Sequence, residues 1–172
     1  CNICVSGDLT ISPIRCTQNP SMGEEWRKDW HPETIRKKES DNKILIIGAG
    51  PAGLECACAL GKRGYQVTLA EAGNTLGGRV TLESQLPGLS AWARVRDYRQ
   101  QQLHQLPNVE IYFDSHLEAE QVLEFGFEHV VIATGSHWRR DGVARVHTLP
   151  IEIDSNMELL TPDDLMAGQT PT

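Results

Sequence analysis

The sequence lacks a cationic excess. Its 16 lysines and arginines face 23 aspartates and glutamates, a formal net charge of −7 over 172 residues. Nucleic acid and anionic membrane surfaces both reward basic patches, so neither is expected as a partner. Basic residues do gather in RKDWHPETIRKK (27–38), but acids are interleaved with them, as on a solvated face. Long apolar runs are missing too. The most apolar stretch, ILIIGAGPAGLECACAL (44–60), contains Pro51 and Glu55 and falls short of a comfortable bilayer span. It fits a buried strand followed by a helix. No basic leader with an apolar core opens the sequence, and five cysteines is an odd number for a disulfide framework. The expectation is a cytoplasmic protein in a reducing compartment. Internal repeats and low-complexity tracts are absent. The histidines at 31, 104, 116, 129, 137 and 147 show no metal-ligand spacing, and His31 in DWHPE reads as a packing residue.

What is present divides at about residue 40. Residues 1–40 have no sustained periodicity and carry Pro13, Pro20, Pro32, Trp26 and Trp30, as expected of an irregular segment that lies on something else. From ESDNKILIIGAG onward the pattern becomes regular. Lys43–Ile47 is a β-branched run typical of a buried parallel strand. Residues 51–62 read as a helix ending at Gly64, and YQVTLAEA (65–72) reads as a second strand. Ser90 is expected to cap a helix through about Leu106, with Trp92, Val95, Leu103 and Leu106 near one face. NVEIYF (108–113) alternates like a third strand, 117–125 reads as a short helix, and HVVIATG (129–135) reads as a fourth strand. Alternating strands and helices predict an α/β fold with a parallel sheet and flanking helices. The predicted domains are a lead-in over 1–40 and a nucleotide-binding domain over 41–172, incomplete at its C-terminal end.

Gly48, Gly50 and Gly53 stand in G-x-G-x-x-G spacing between that first strand and helix, and Glu71 follows 18 residues after Gly53. Gly48 permits a tight turn, Gly50 lets a pyrophosphate approach the backbone, and Gly53 lets helix and strand pack closely. The helix N-terminus at Pro51 and Ala52 offers N–H groups and a positive dipole end to phosphate. Glu71 would accept hydrogen bonds from a ribose hydroxyl pair, and an acid there disfavours a 2′-phosphate. The ligand then carries an unphosphorylated adenosine diphosphate unit: FAD, NAD or ADP.

TLGGR (75–79) and VVIATGS (130–136) complete an order of glycine fingerprint, acid, GG-R and ATG. This order resembles the FAD-type domain of the two-dinucleotide-binding flavoproteins. The resemblance implies that Gly77, Gly78 and Arg79 lie beside the pyrophosphate and ribose, and that Thr134–Gly135 brings a strand end close to the ligand. Ala72, next to Glu71, joins the candidate nucleotide contacts.

Cys1, Cys4 and Cys16 place two close thiols and one distant thiol in the lead-in. Thiolates suit zinc or iron–sulfur clusters, and a [4Fe–4S] cubane normally takes four. Cys56 and Cys58 fall on the helix after the glycine turn and read as small packing residues. CNIC…C running into TQNPSMGEEWRKDWHPETIRKKESDNKILIIGAGPAGLE resembles the iron–sulfur flavoprotein amine dehydrogenases, the trimethylamine, dimethylamine and histamine dehydrogenases. It is more distantly similar to bacterial dienoyl-CoA reductases. The match continues through EAGNTLGGRV, LPGLSAW, EFGFEHVVIATG and DGVARVHT to LTPDDLMAG.

This resemblance implies a larger parent enzyme. Its TIM barrel would carry FMN and the substrate site, a [4Fe–4S] cluster would lie beyond the barrel, and paired nucleotide-binding domains would follow. Cys1, Cys4 and Cys16 would be three of the four cluster ligands, with one more cysteine upstream, so the cluster would be incomplete in this stretch alone. The nucleotide site would hold ADP in an amine dehydrogenase, or FAD working with NADPH in an enoate reductase. Electrons would leave to an electron-transferring flavoprotein, and the parent would be a homodimer. No catalytic residue of the barrel falls in this stretch, which by itself is expected to be inactive. A non-catalytic nucleotide-binding module is the alternative from another class. Trp138, Arg139 and Arg140 read either as lining of the nucleotide pocket or as an interface with a further domain, the interface being preferred.

Overall fold

The computed structural model describes residues 4–5, 14–24, 26–28, 34–144, 146–154 and 156–170. Cys1, Trp30 and His31 lie outside them. The chain divides into two compact units, 1–134 and 135–172.

The first unit is an α/β fold on a four-stranded parallel sheet. Its elements are β1 (Lys43–Ile47), α1 (Pro51–Arg63), β2 (Gln66–Ala70), α2 (Arg79–Glu83), a 3₁₀ turn at Ser90–Trp92, α3 (Ala93–His104), β3 (Val109–Tyr112), α4 (Ala119–Glu124) and β4 (His129–Ile132). The strand order is β3-β2-β1-β4. Ile44 pairs with Val67 and Ile46 with Leu69 on one side of β1, and Ile46 pairs with Val131 on the other. Because β1 is central and covered, its side chains read as one apolar run rather than an alternation.

Leu45, Ile46, Leu54 and Leu69 are fully buried. Each contributes about 1.5–3 kcal/mol relative to exposure. Leu54, Ala57 and Cys58 are buried in the core that α1 shares with the sheet and α3, and Cys56 is half-buried against the same core. The packing role expected of both cysteines therefore holds. Pro51 occupies the first turn of α1, where its missing N–H costs nothing, and Gly64 closes the helix in the left-handed conformation at φ 94°. Lys62 and Arg63 sit in the last turn, complementing the negative dipole end.

Two local expectations change. Ser90 provides no side-chain cap: the chain enters α3 through the 3₁₀ turn instead. The short helix expected at 117–125 spans Ala119–Glu124, held by a capping box between Glu118 and Gln121. The second unit carries a short helix, α5 (Pro162–Met166). Among the described residues no helix is long and apolar enough to cross a membrane.

Candidate functional site

The C-terminal ends of parallel strands are where α/β sheets gather ligand-binding loops. Here the ends of β1, β2 and β4 converge. Gly48, just past β1, has φ 99°, and its N–H donates to the Ala70 carbonyl at 2.8 Å. A Cβ at Gly48 would lie 2.5 Å from the Ala133 carbonyl oxygen and 3.1 Å from the Thr134 Cα. Only glycine lets the chain leaving β4 pass this close. A Cβ at Gly53 would collide with the Gly48 carbonyl oxygen and touch the Ala133 side chain at 3.4 Å. The first turn of α1 is thus pressed directly onto the loop that precedes it.

Gly50 differs. It has ordinary extended backbone at φ −69°, and a Cβ there would meet nothing within 4 Å. Its lack of a side chain serves no internal packing and leaves open space over the N-terminus of α1. That N-terminus has no side-chain cap and no acid in its first turn. The dipole end and the unused N–H groups are left for an outside anion. Pro51 and Ala52 are exposed there, and Gly53 is buried beneath them.

The TLGGR segment folds against the same loop. Gly77 donates its N–H to the Ala49 carbonyl at 2.8 Å, and a Cβ at Gly78 would lie 3.3 Å from the Gly50 Cα. Both glycines have positive φ, 101° and 51°. Thr81 and Arg96 brace the turn from behind. The Thr81 hydroxyl donates to the Leu76 carbonyl at 2.8 Å, and Arg96 Nη1 donates to the Thr81 hydroxyl at 3.3 Å. Arg79 opens α2 and is half-buried.

Glu71 links all of this to β2. Its Oε2 accepts the Ala49 N–H at 2.7 Å and its Oε1 accepts the Gly73 N–H at 2.9 Å. The Glu71 carbonyl accepts the Ser115 N–H at 2.8 Å, and Gly73 accepts the Asp114 N–H at 3.0 Å. The carboxylate therefore orders the glycine loop and its own turn, a task that sequence spacing alone does not reveal. Two acceptor sites are used, and a carboxylate offers about four. Ala72 is exposed beside it.

Thr134 is exposed at the end of the first unit and approaches Gly48, as above. Gly135 begins the second unit with φ 85° and open space around it. The structure thus brings together Gly48, Gly50, Pro51, Ala52, Gly53, Glu71, Gly78 and Thr134. The side-chain-free surface, the bare helix end and the carboxylate fit a diphosphate and an adjoining ribose.

Cys1 lies outside the described residues, so the expected three-cysteine group is not seen whole. Among the described residues no three His, Cys, Asp or Glu side chains gather as metal ligands. Cys4 and Cys16 are half-buried free thiols. The Cys16 environment fits a thiolate ligand: its Sγ accepts the Gln18 N–H at 3.4 Å. Backbone hydrogen bonds from Asn19 and Gln18 hold that thiol below its ordinary value. The contrast is with Cys58, which burial, reinforced by the Glu55 charge, pushes up to about 11.

In the second unit Trp138 is exposed, but its two basic neighbours are engaged internally. Arg139 pairs with Asp141, and Arg140 Nη2 meets Asp164 at 2.5 Å.

Comparison with known proteins agrees with this geometry. A family model described as pyridine nucleotide-disulphide oxidoreductase matches residues 42–161. Dimethylamine dehydrogenase from Hyphomicrobium sp. (strain x) is 42% identical over 98% of this chain and 24% of its own length. The structure of histamine dehydrogenase from Rhizobium sp. 4-9 superposes with a TM-score of 0.89 at 65% identity, over 99% of this chain and 25% of that one. 6-Hydroxypseudooxynicotine amine oxidase from Pseudomonas geniculata N1 gives the same TM-score of 0.89 at 52% identity, over 99% of this chain and 26% of that one. The chain spans about a quarter of the length of each of these relatives.

Proposed function

Because this chain belongs to the pyridine nucleotide-disulphide oxidoreductase family, we propose that it is the adenine-nucleotide-binding part of an iron–sulfur flavoprotein that oxidises a small amine. One observation carries the binding role. The Gly48–Gly53 loop, the Gly77–Gly78 turn and the Glu71 carboxylate are hydrogen-bonded into one cradle whose open side has no side chain over the α1 N-terminus. The diphosphate of ADP or FAD would take the N–H groups of that helix end, and the ribose hydroxyls would use the acceptor sites that Glu71 has left. The substrate class rests on the relatives, which are named for oxidising dimethylamine, histamine and an amine-bearing oxynicotine.

In this reading residues 1–40 form a lead-in carrying Cys1, Cys4 and Cys16, three thiolates for a [4Fe–4S] cluster. Residues 41–172 form the nucleotide domain. A TIM barrel with FMN and a second nucleotide-binding domain complete the same cytoplasmic, homodimeric enzyme. When bound, flavin and cluster would supply the redox chemistry, with an electron-transferring flavoprotein as the proposed electron acceptor. The residues of this chain bind, orient and tune.

The test is to denature the purified full-length protein and to assay released nucleotide and iron. Stoichiometric ADP or FAD with about four irons per chain is expected. A protein that releases no adenine nucleotide overturns the binding role. One that oxidises NADPH with an enoyl thioester, and leaves amines untouched, overturns the amine reading.

A further inference from the structure

The cradle makes no use of Arg99, on α3, although this residue is only 4% exposed. Burying a guanidinium is costly, and an apolar residue of similar volume would join two helices at least as well. All three of its nitrogens are engaged. Nε donates to Glu55 Oε2 on α1 at 2.7 Å, and Nη1 donates to the Val95 carbonyl one turn back at 2.9 Å. Those two bonds are local to the helix pair. The third is not: Nη2 donates to the carbonyl of Thr17 at 3.2 Å, across 82 residues of sequence.

The Thr17 carbonyl and the Gln18 N–H belong to a single planar peptide group. That Gln18 N–H is the one that donates to the Cys16 sulfur at 3.4 Å. The connection is therefore continuous from the guanidinium, through the Thr17–Gln18 peptide, to Sγ. A cation on the carbonyl end of a peptide orients that plane and polarises its N–H, because hydrogen bonds in a chain strengthen one another. The surrounding segment is compact enough to hold the arrangement. Met22 and Glu24 donate backbone N–H groups to Asn19 and Ser21, and Gly23 packs against the Ile14 carbonyl.

We propose that Arg99 is a positioning residue for the iron–sulfur centre: it fixes the Thr17–Gln18 peptide so that its N–H is aimed at the Cys16 sulfur, and thereby raises the reduction potential of the cluster that Cys16 ligates. The inference rests on the cluster reading above. Hydrogen bonds to ligand sulfurs and nearby charge are among the levers that set iron–sulfur potentials, and both favour the reduced, more negative state here. Glu55 offsets the guanidinium charge at Nε, while the Val95 and Thr17 carbonyls hold Nη1 and Nη2 separately.

The experiment compares wild type, Arg99→Met, Arg99→Lys and Glu55→Gln in the full-length protein reconstituted with iron and sulfide. Three readouts are taken: the cluster midpoint potential, the EPR spectrum of the reduced cluster, and hydrogen exchange of the Gln18 amide in metal-free protein. Arg99→Met is expected to lower the midpoint, disfavouring reduction at least threefold, and to speed Gln18 exchange about tenfold. Arg99→Lys, which keeps the cation, should recover part of the midpoint. Glu55→Gln removes the same ion pair but leaves the Thr17 contact, so it should lower thermal stability without lowering the midpoint. If Arg99→Met and Glu55→Gln lose stability alike and both leave the midpoint and EPR spectrum unchanged, Arg99 is only a strut between helices and the inference fails. If Arg99→Met does not fold, the Arg99→Lys midpoint and exchange decide: wild-type values for both overturn it. Wild-type protein that takes up no iron overturns the cluster reading itself, a result distinct from iron uptake without a shift in the variants.

Discussion

The two units of the chain are held together by different physics. In 1–134, four fully buried aliphatic side chains and glycines pressed against backbone carbonyls define the fold. In 135–172, polar staples do that work. Asp164 caps α5 by accepting the N–H and hydroxyl of Thr161 at 2.7 and 2.8 Å, while Arg140 reaches both Asp164 and the Leu159 carbonyl. Apolar side chains in this unit stand out instead of in: Val146 is 91% exposed, Leu149 75% and Met157 68%. The first unit should therefore respond to changes of volume, and the second to changes of charge.

The sharpest break is Gly53→Ala. Its methyl group has no room against the Gly48 carbonyl. Urea denaturation should show a loss of about 3 kcal/mol, at the upper end for overpacking, whereas Gly50→Ala, with open space around its Cβ, should cost about 1 kcal/mol or less. Equal losses would mean that the close approach of helix and loop is not what shapes the first unit. Next in size is Glu71→Ala, expected to weaken ADP binding by about 1–3 kcal/mol in calorimetry, the cost of stranding hydrogen-bonding groups. Unchanged affinity would remove Glu71 from the site.

Acid should separate the units. Asp141 is held down to about 2 chiefly by its hydrogen bond from Arg139, and Asp164 to about 2 by the Thr161 N–H and Arg140. Carboxylates whose folded value lies below the unfolded one add stability above about pH 4 and lose it as pH falls toward 2. Hydrogen exchange should rise in 135–172 across that window before it rises in β1 and β2. Simultaneous loosening would contradict the division. The smallest effect is chemical. In metal-free protein near pH 8, iodoacetamide should modify Cys16 ahead of Cys56, and Cys58 last, following thiolate availability and burial.

Much of this was legible in the sequence. The β-branched run, the glycine spacing and the terminal Gly64 each have a local cause, so β1, α1 and β2 fall within a residue or two of their expected bounds. Arg99 was not, although a signal existed. Val95, Arg99 and Leu103 are spaced by four and share one face of α3, where all three are buried. A charge in an apolar stripe reads as an interruption until its partners, Glu55 and Thr17, are known to be near. The second role of Glu71 is hidden for the same reason: its bond to Ala49 spans 22 residues and depends on β1 and β2 being adjacent. The Thr161–Asp164 capping box, by contrast, has a local signature in TPDD that marks the start of α5.

The central claim is that the joined glycine turns and Glu71 bind an adenosine diphosphate unit without a 2′-phosphate. Calorimetry of nucleotide-free protein with ADP and with 2′-phospho-ADP, which keeps the 5′-diphosphate and differs only at the 2′ position, tests it most directly. The account predicts saturable binding of ADP and at least tenfold weaker binding of the 2′-phosphorylated ligand, since its dianion would face the Glu71 carboxylate. Equal affinities, or no binding of ADP, would contradict it.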